Sequence, residues 1–171
     1  ECVTLPEPLP KRPEPGWALA GEHSSRRNFL TSIYLEHDDL ERINIKLQEK
    51  YADIKRVEQL SEVYRTEDAE ILLVGYGIVG RIIRSAVDIL RKTGIRAGML
   101  RPITLFPFPE KEIRRVASGN KDILVVEMSN GQMVDDVEIA LDCKNPVSLY
   151  TRMGGNVPSV KEVINKSREI V

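Results

Sequence analysis

The chain is poor in the residues that usually carry disulfide, metal or acid–base chemistry. Its 171 residues include 2 Cys and 2 His. Cys2 and Cys143 lie far apart and form no C-x-x-C pair, so the sequence indicates neither a disulfide framework nor a zinc or iron–sulfur site. His23 and His37 both precede the strongly patterned part of the chain, which therefore holds no Ser-His-Asp or Cys-His triad. We predict no catalytic residue and no metal ligand.

An excess of charge of one sign and a long apolar run are also missing. Lys and Arg number 25 against 26 Asp and Glu, for a formal net charge of −1. Such a balance removes the overall attraction that nucleic acids and anionic membranes exert on basic proteins. No run of 18 apolar residues occurs, and the first residues lack the pattern of a signal peptide. We expect a cytoplasmic protein with neither a nucleic-acid nor a membrane partner.

Proline is concentrated at the start of the chain. Residues 1–15 contain five of the ten prolines, and proline neither continues a helix interior nor donates a ladder hydrogen bond. We therefore predict a Pro-rich interdomain linker and loop over residues 1–37. Because the chain begins at Glu1, without Met and within this stretch, we expect it to be a piece of a longer protein.

Residues 38–66 predict a connecting helix and an edge strand. Asp38-x-x-Glu41 has the form of a capping box, and one narrow apolar stripe predicts a helix over 38–55. Such a helix packs along a groove, either of its own domain or of a partner. The charged segment 58–65 predicts a short edge strand, because charges on an edge strand discourage unwanted pairing.

Residues 67–171 alternate between apolar runs and helical patterns, which predicts an α/β domain. Its sheet is expected to be mainly parallel and covered by helices on both faces. The patterns Ser129-x-x-Gln132 and Ser159-x-x-Glu162 predict capping boxes for the last two helices. The predicted strands are residues 69–76, 95–101, 122–127 and 147–152, of which 69–76 and 122–127 are expected to be buried.

Function in open α/β sheets concentrates beyond the carboxyl ends of the strands. The first of these ends carries a G-x-G-x-x-G motif, Gly75, Gly77 and Gly80, between a strand and a helix. One interpretation is a nucleotide site, which would make the chain an NADP-binding oxidoreductase or regulatory module. The usual acidic residue about 20 positions later is missing, and Arg101 stands there instead. The other interpretation is that the glycines allow a tight turn into a close-packed helix.

Polar residues at the other strand ends form a second candidate site. Arg101, Glu127 and Arg152 either recognise an anionic group or a partner surface, or form an internal arginine–carboxylate–arginine cluster that holds the loops. Both alternatives remain open from the sequence. The candidate interface residues are Arg101, Glu127, Asn130, Gln132 and Arg152.

Four segments of the chain resemble a known family. They are residues 67–95, 101–113, 123–137 and 150–164, and they include the blocks R-P-x-x-L-x-P-F-P and V-V-E-x-x-x-G-Q. These segments are similar to the carboxyl-terminal part of the alpha subunit of 2-oxoacid:ferredoxin oxidoreductases, in particular the branch that acts on branched-chain 2-oxoacids such as 2-oxoisovalerate.

The resemblance implies a fold and a function. The implied fold is a three-layer α/β/α domain like the transketolase carboxyl-terminal domain, with a five-stranded mixed sheet whose first strand is antiparallel. The implied function is that of an assembly and interface domain in an enzyme that catalyses CoA-dependent oxidative decarboxylation of a 2-oxoacid. The isolated chain is expected to be inactive. Any homodimer that it forms in isolation is expected to use the surfaces that contact its partners in the complex.

The resemblance also implies where the cofactors are held. Thiamine diphosphate and its Mg²⁺ are expected between an upstream pyrimidine-binding domain of the same subunit and a separate beta subunit. Iron–sulfur clusters are expected in ferredoxin-like subunits. This chain itself is expected to bind none of these cofactors.

Overall fold

A computed structural model describes residues 5–8, 15–119 and 121–171. Most of the predicted linker over residues 1–15 lies outside the described residues. The chain divides into two compact units, of which the first ends at Leu47 and the second covers Gln48–Val171. The boundary falls within the first α-helix.

The first unit contains a loop closed by its own side chains. The Asn28 amide donates hydrogen bonds to the carbonyl oxygens of Gly16 and Ala18, at 2.9 and 3.0 Å. The buried Ser25 hydroxyl donates to the Glu22 carbonyl at 2.8 Å and accepts from the Ala20 N–H at 3.2 Å. A 3-10 helix, His23–Asn28, joins these contacts.

Helix α1, His37–Val57, begins one residue earlier than predicted. Asp38 therefore lies inside the first turn, where its negative carboxylate interacts favourably with the positive end of the helix dipole. The predicted capping box Asp38-x-x-Glu41 is wrong, because a capping residue must precede the first helical residue. No side chain of this helix is buried.

The second unit is built on a five-stranded sheet. Its strands are β1 (Ser61–Tyr64), β2 (Ile71–Val74), β3 (Ala97–Pro102), β4 (Asp122–Glu127) and β5 (Val147–Thr151). They lie in the order β1-β3-β2-β4-β5, with β1 antiparallel to β3 and the other pairs parallel. The predicted mixed sheet and its antiparallel edge strand are confirmed.

Helices cover both faces of the sheet. Helices α2 (Gly77–Lys92) and α5 (Val160–Ile170) pack on one face, and α3 (Glu110–Val116) and α4 (Gln132–Ala140) pack on the other. Alternate strand residues serve the two cores: Leu73 lies on the α2/α5 face and Leu72 on the α3/α4 face, both fully buried. Each fully buried Leu stabilises the fold by roughly 1.5–3 kcal/mol. None of the helices within the described ranges is long and apolar enough to span a membrane.

Candidate functional site

The carboxyl ends of the four parallel strands meet at one edge of the sheet, which we call the carboxyl edge. It comprises the segments 75–80, 101–109, 128–132 and 152–159, which continue from β2, β3, β4 and β5. Strand β2 lies between β3 and β4. The connection after β2 therefore leads to the strand on one side of β2, and the connection after β3 leads to the strand on its other side, so the strand order reverses at the gap between β2 and β4. Sites in open α/β sheets are found at such a reversal point.

The glycine motif at 75–80 meets packing demands of the fold. A Cβ added at Gly75 would lie 2.5 Å from Ile83 Cδ1 and 3.0 Å from the Val126 carbonyl oxygen. A Cβ at Gly80 would lie 2.7 Å from Arg101 Cδ. Gly77 begins α2 at φ +57°, a left-handed conformation that suits glycine. These contacts account for the motif as a tight turn into a close-packed helix, which the fold needs with or without a nucleotide.

Arg101 lies near the end of β3, directly opposite Glu62 of β1. Its Nη1 donates to Glu62 Oε2 at 3.2 Å. The second oxygen of Glu62 accepts from Arg84 Nη1 at 2.7 Å, and the Arg84 guanidinium lies 4.4 Å above the Tyr64 ring. The edge strand therefore holds Arg101 in place by a cross-strand ion pair.

Glu127, at the end of β4, is fully buried and caps helix α4. Its carboxylate accepts hydrogen bonds from the Ser129 hydroxyl and from the N–H groups of Met133 and Val134, the latter two at 3.2 and 3.4 Å. The residue before the helix, Gly131, has no side chain to offer. Glu127 therefore supplies the acceptors that the first turn of α4 needs.

The predicted capping box Ser129-x-x-Gln132 is wrong. The Ser129 hydroxyl donates to Glu127 instead of accepting from the helix. Gln132 is the first residue of α4, and its Oε1 accepts from the Asn130 N–H at 3.0 Å. Asn130 and Gln132 are both exposed, so they remain accessible at the carboxyl edge.

Arg152 follows β5 and pairs with helix α5. Its Nη1 lies 3.4 Å from Glu162 Oε1. Glu162 also accepts from the Ser159 N–H at 2.7 Å, while Ser159 Oγ accepts from the Glu162 N–H at 3.2 Å. The predicted Ser159-x-x-Glu162 capping box is confirmed. The hydrogen bond from the Ser159 N–H is the main cause that lowers the pKa of Glu162.

Arg101, Glu127 and Arg152 do not form an internal cluster. Successive residues of a strand point to opposite faces, and the side chains of Arg101 and Arg152 lie toward the face of α2 and α5. Glu127 lies toward the opposite face, where it caps α4. The alternative of an arginine–carboxylate–arginine cluster is therefore wrong.

Sequence reasoning missed the true partners of the two arginines, Glu62 and Glu162. The contact with Glu62 depends on the register of β1 against β3, for which the local sequence carries no signal. Glu162 was visible as a capping residue, but its contact with Arg152 arises only when the chain folds and brings α5 close to the end of β5.

Both arginines also have a buried Nε without an acceptor among the described residues. A buried, unpaired donor of this kind costs about 1–3 kcal/mol.

Within the described ranges, no group of three or more His, Cys, Asp or Glu side chains is placed to hold a metal ion. The described part of the carboxyl edge instead offers arginine, amide and apolar side chains. These groups can bind a carboxylate or an apolar surface. The Ser129 hydroxyl does meet a carboxylate, but that carboxylate is the buried Glu127, which caps α4.

Comparison with curated proteins gives long matches to oxidoreductase subunits. Ketoisovalerate oxidoreductase subunit VorB of Methanothermobacter marburgensis is 48% identical over 171 residues, which cover 99% of this chain and 48% of the relative. The 2-oxoglutarate synthase subunit KorA of the same organism is 39% identical over 101 residues, which cover 59% of this chain and 27% of the relative. The chain spans about half the length of the VorB relatives that it matches.

Solved structures share the fold at low sequence identity. A chain of the 2-oxoglutarate:ferredoxin oxidoreductase from Magnetococcus marinus superposes with a TM-score of 0.64 and 18% identity, over 80% of this chain and 24% of that chain. A split-gene transketolase gives a TM-score of 0.51 and 16% identity, over 65% of this chain and 41% of that chain. These likenesses confirm the predicted transketolase-like fold.

The family described as pyruvate:ferredoxin oxidoreductase core domain II matches residues 69–163. Since that match covers more than half of the chain, the chain belongs to the pyruvate:ferredoxin oxidoreductase core domain II family, as its resemblance to 2-oxoacid:ferredoxin oxidoreductases implies.

Proposed function

We propose that this chain is part of the alpha subunit of a 2-oxoacid:ferredoxin oxidoreductase that acts on branched-chain 2-oxoacids. The observation that carries the proposal is the 48% identity to ketoisovalerate oxidoreductase subunit VorB over 171 residues. The proposed overall reaction is the decarboxylation of a 2-oxoacid, with transfer of its acyl group to CoA and of electrons to ferredoxin.

The proposed role of the core domain in that enzyme is assembly. Its polar residues at the carboxyl edge hold loops and helix ends, and none forms a catalytic pair. Among the candidate interface residues, Arg101, Asn130, Gln132 and Arg152 reach solvent, whereas Glu127 is enclosed and acts through the loop that it holds. The first four are the residues that we propose contact a neighbouring domain or subunit.

Cofactors are proposed to lie outside this chain. Decarboxylation of a 2-oxoacid needs an electron sink, which thiamine diphosphate supplies when bound. The described residues offer no cluster suited to Mg²⁺ or to an iron–sulfur centre. The proposed location of thiamine diphosphate is between an upstream pyrimidine-binding domain and a beta subunit, with the iron–sulfur clusters in ferredoxin-like subunits. The cytoplasmic location stays a prediction.

The test is an assay of the full-length gene product, purified without oxygen together with its co-purifying subunits. We expect 2-oxoisovalerate to reduce a viologen dye in a CoA-dependent manner, and pyruvate and 2-oxoglutarate to do so more slowly. An assay without CoA is the control for nonspecific dye reduction. Absence of any 2-oxoacid-dependent reduction would overturn the proposal, and a preference for pyruvate would overturn its substrate class.

The nucleotide alternative has a separate test. An NADP site at 75–80 predicts micromolar NADPH binding that the substitution Gly77→Val abolishes. We expect no such binding, because the acidic residue of a dinucleotide site is missing about 20 positions later and close packing already accounts for Gly75 and Gly80.

A further inference from the structure

The segments that form the carboxyl edge are almost free of charge. Residues 75–80, 101–109, 128–132 and 152–159 contain no Asp, Glu or Lys, and their charged residues are Arg101 and Arg152. The chain as a whole is 30% charged. Depletion of Lys, Asp and Glu with retention of Arg is the compositional mark of the centre of a protein–protein interface.

Large apolar side chains are exposed on the same segments. Those exposed between 43 and 63% are Ile78, Ile103, Leu105, Phe106, Met153 and Val157. Single exposed apolar residues are ordinary on a protein surface. Here they follow three strands of one sheet, and the four strand ends together span roughly 14 Å at the usual spacing between strands. The apolar side chains therefore lie at the same edge of the sheet as Arg101 and Arg152, and Phe106 also meets the Tyr51 ring edge-on, with the ring centroids 6.0 Å apart.

The two arginines retain donors that the described contacts do not use. Arg101 donates one hydrogen bond, to Glu62, and the contact of Arg152 with Glu162 is an ion pair at 3.4 Å. A guanidinium has five N–H donors, four of them on the two Nη atoms, and only those four count here because the Nε of both arginines is buried. Each carboxylate orients its arginine while leaving donors for a further acceptor, and such preorganisation lowers the cost of binding.

We propose that the carboxyl edge is the docking surface for a separate protein subunit that presents carboxylates among apolar side chains. Arg101 and Arg152 are its charged anchors. This inference rests on the proposed function in that it names the partner chemistry of the assembly role.

Two physical arguments select this partner. A second copy placed face to face on the same surface would bring arginines and apolar groups but no free carboxylate, because the carboxyl-edge segments contain none. A domain tethered in the same chain by a short flexible linker has a millimolar effective concentration and gains little from charge steering. A separate subunit gains both encounter rate and selectivity from charged anchors.

The test uses the full-length subunit and its co-purifying partner subunits. The Arg101→Gln/Arg152→Gln double variant should raise the dissociation constant of the subunit pair by about tenfold or more, as expected for anchoring arginines. The fold should survive, because Glu62 keeps Arg84 at 2.7 Å and Glu162 keeps the Ser159 N–H at 2.7 Å. Added salt should weaken wild-type association more than that of the double variant.

Two further variants complete the test. Arg96→Gln is the matched control: Arg96 precedes β3 at its opposite end and pairs with Glu70 at 2.7 Å, so its association should match wild type. Met153→Ser removes an exposed apolar group without touching an ion pair, and should weaken association without changing its salt dependence. Unfolding midpoints of all variants establish that the subunit is folded.

Three results would overturn the inference. In the first, the double variant and Met153→Ser both associate with the partner subunit as tightly as Arg96→Gln does. In the second, the subunit associates with itself through this edge and not with a different subunit. In the third, the variants lower the stability of the subunit but leave its association unchanged. Association is measured independently of turnover. An inactive wild-type complex would therefore refute the proposed function, and the dissociation constants of the variants could still be interpreted.

Discussion

At the residue scale, Glu127 is a buried carboxylate whose role is local. It gathers the Ser129 hydroxyl and two N–H groups of the first turn of α4. Glu127→Ala should lower the free energy of unfolding by about 3 kcal/mol or more, because it leaves those donors unpaired and opens a cavity. Urea unfolding of the protein measures the loss.

Glu127→Gln is the matched control at the same position. The amide oxygen still accepts a hydrogen bond and fills the same space, while the negative charge at the helix N-terminus is lost. We expect a cost of about 1 kcal/mol. Equal costs for the two substitutions would show that the negative charge, which both remove, matters and that the volume and the acceptor retained by Gln do not.

At the scale of elements, Arg91 joins helix α2 to the start of β3 and to the turn between β1 and β2. Its Nε donates to the Ala97 carbonyl at 2.6 Å, its Nη2 donates to the Arg65 carbonyl at 2.8 Å, and both Nη atoms reach Asp68. Arg65 has φ +52°, and a Cβ at Gly98 would lie 2.7 Å from its carbonyl oxygen. Arg91 therefore stabilises a strained turn packed tightly on β3.

Arg91→Met should lower the free energy of unfolding by about 2–4 kcal/mol, since several hydrogen bonds from a charged, mostly enclosed group are lost. The Arg91 side chain is 18% exposed. The control is Arg115→Met, which removes an exposed pair with Glu112 one turn away and should cost less than about 0.5 kcal/mol. Thermal unfolding compares the two, and similar shifts would contradict the assigned role of Arg91.

At the scale of the whole molecule, stability should depend on pH through carboxyl groups with shifted pKa values. Hydrogen bonds hold the pKa below its ordinary value at four described carboxyls, Asp68, Glu112, Asp142 and Glu162. Such groups stabilise the fold above their ordinary pKa of about 4, and that contribution is lost as pH falls through the lowered value. We expect a flat unfolding midpoint between about pH 6 and 8 and a decline below about pH 4.5.

Asp136 should act in the opposite direction. Although its side chain is exposed, partial desolvation and the nearby Asp135 carboxylate raise the pKa of Asp136, so its ionisation opposes folding at neutral pH. Asp136→Asn should raise the unfolding midpoint at pH 7, and the gain should vanish as pH falls and the wild-type carboxyl becomes protonated. A gain that persists at pH 3 would contradict an electrostatic origin. A pH series of thermal unfolding curves measures both effects.

Local patterns in the sequence predicted most of the fold. Apolar runs such as residues 69–76 indicate buried parallel strands without any knowledge of the partner strand. The Ser159-x-x-Glu162 box was predictable because both partners lie within one turn of the same helix. The Ser129-x-x-Gln132 box failed because Glu127, from the preceding strand, competes for the same donors. A local motif predicts structure only where no distant group binds its atoms more strongly.

By itself, the sequence determined the order of strands and helices, because periodicity is a local property. Its motif blocks carried the resemblance to the family, and that resemblance implied the five-stranded mixed sheet. Tertiary structure alone decided which carboxylate each arginine meets. Arg101 pairs with Glu62 through the register of β1 on β3, and Glu127 turns away from both arginines because strand residues alternate between faces. Those contacts join residues distant along the chain, and their geometry exists only once the sheet and its helices have packed.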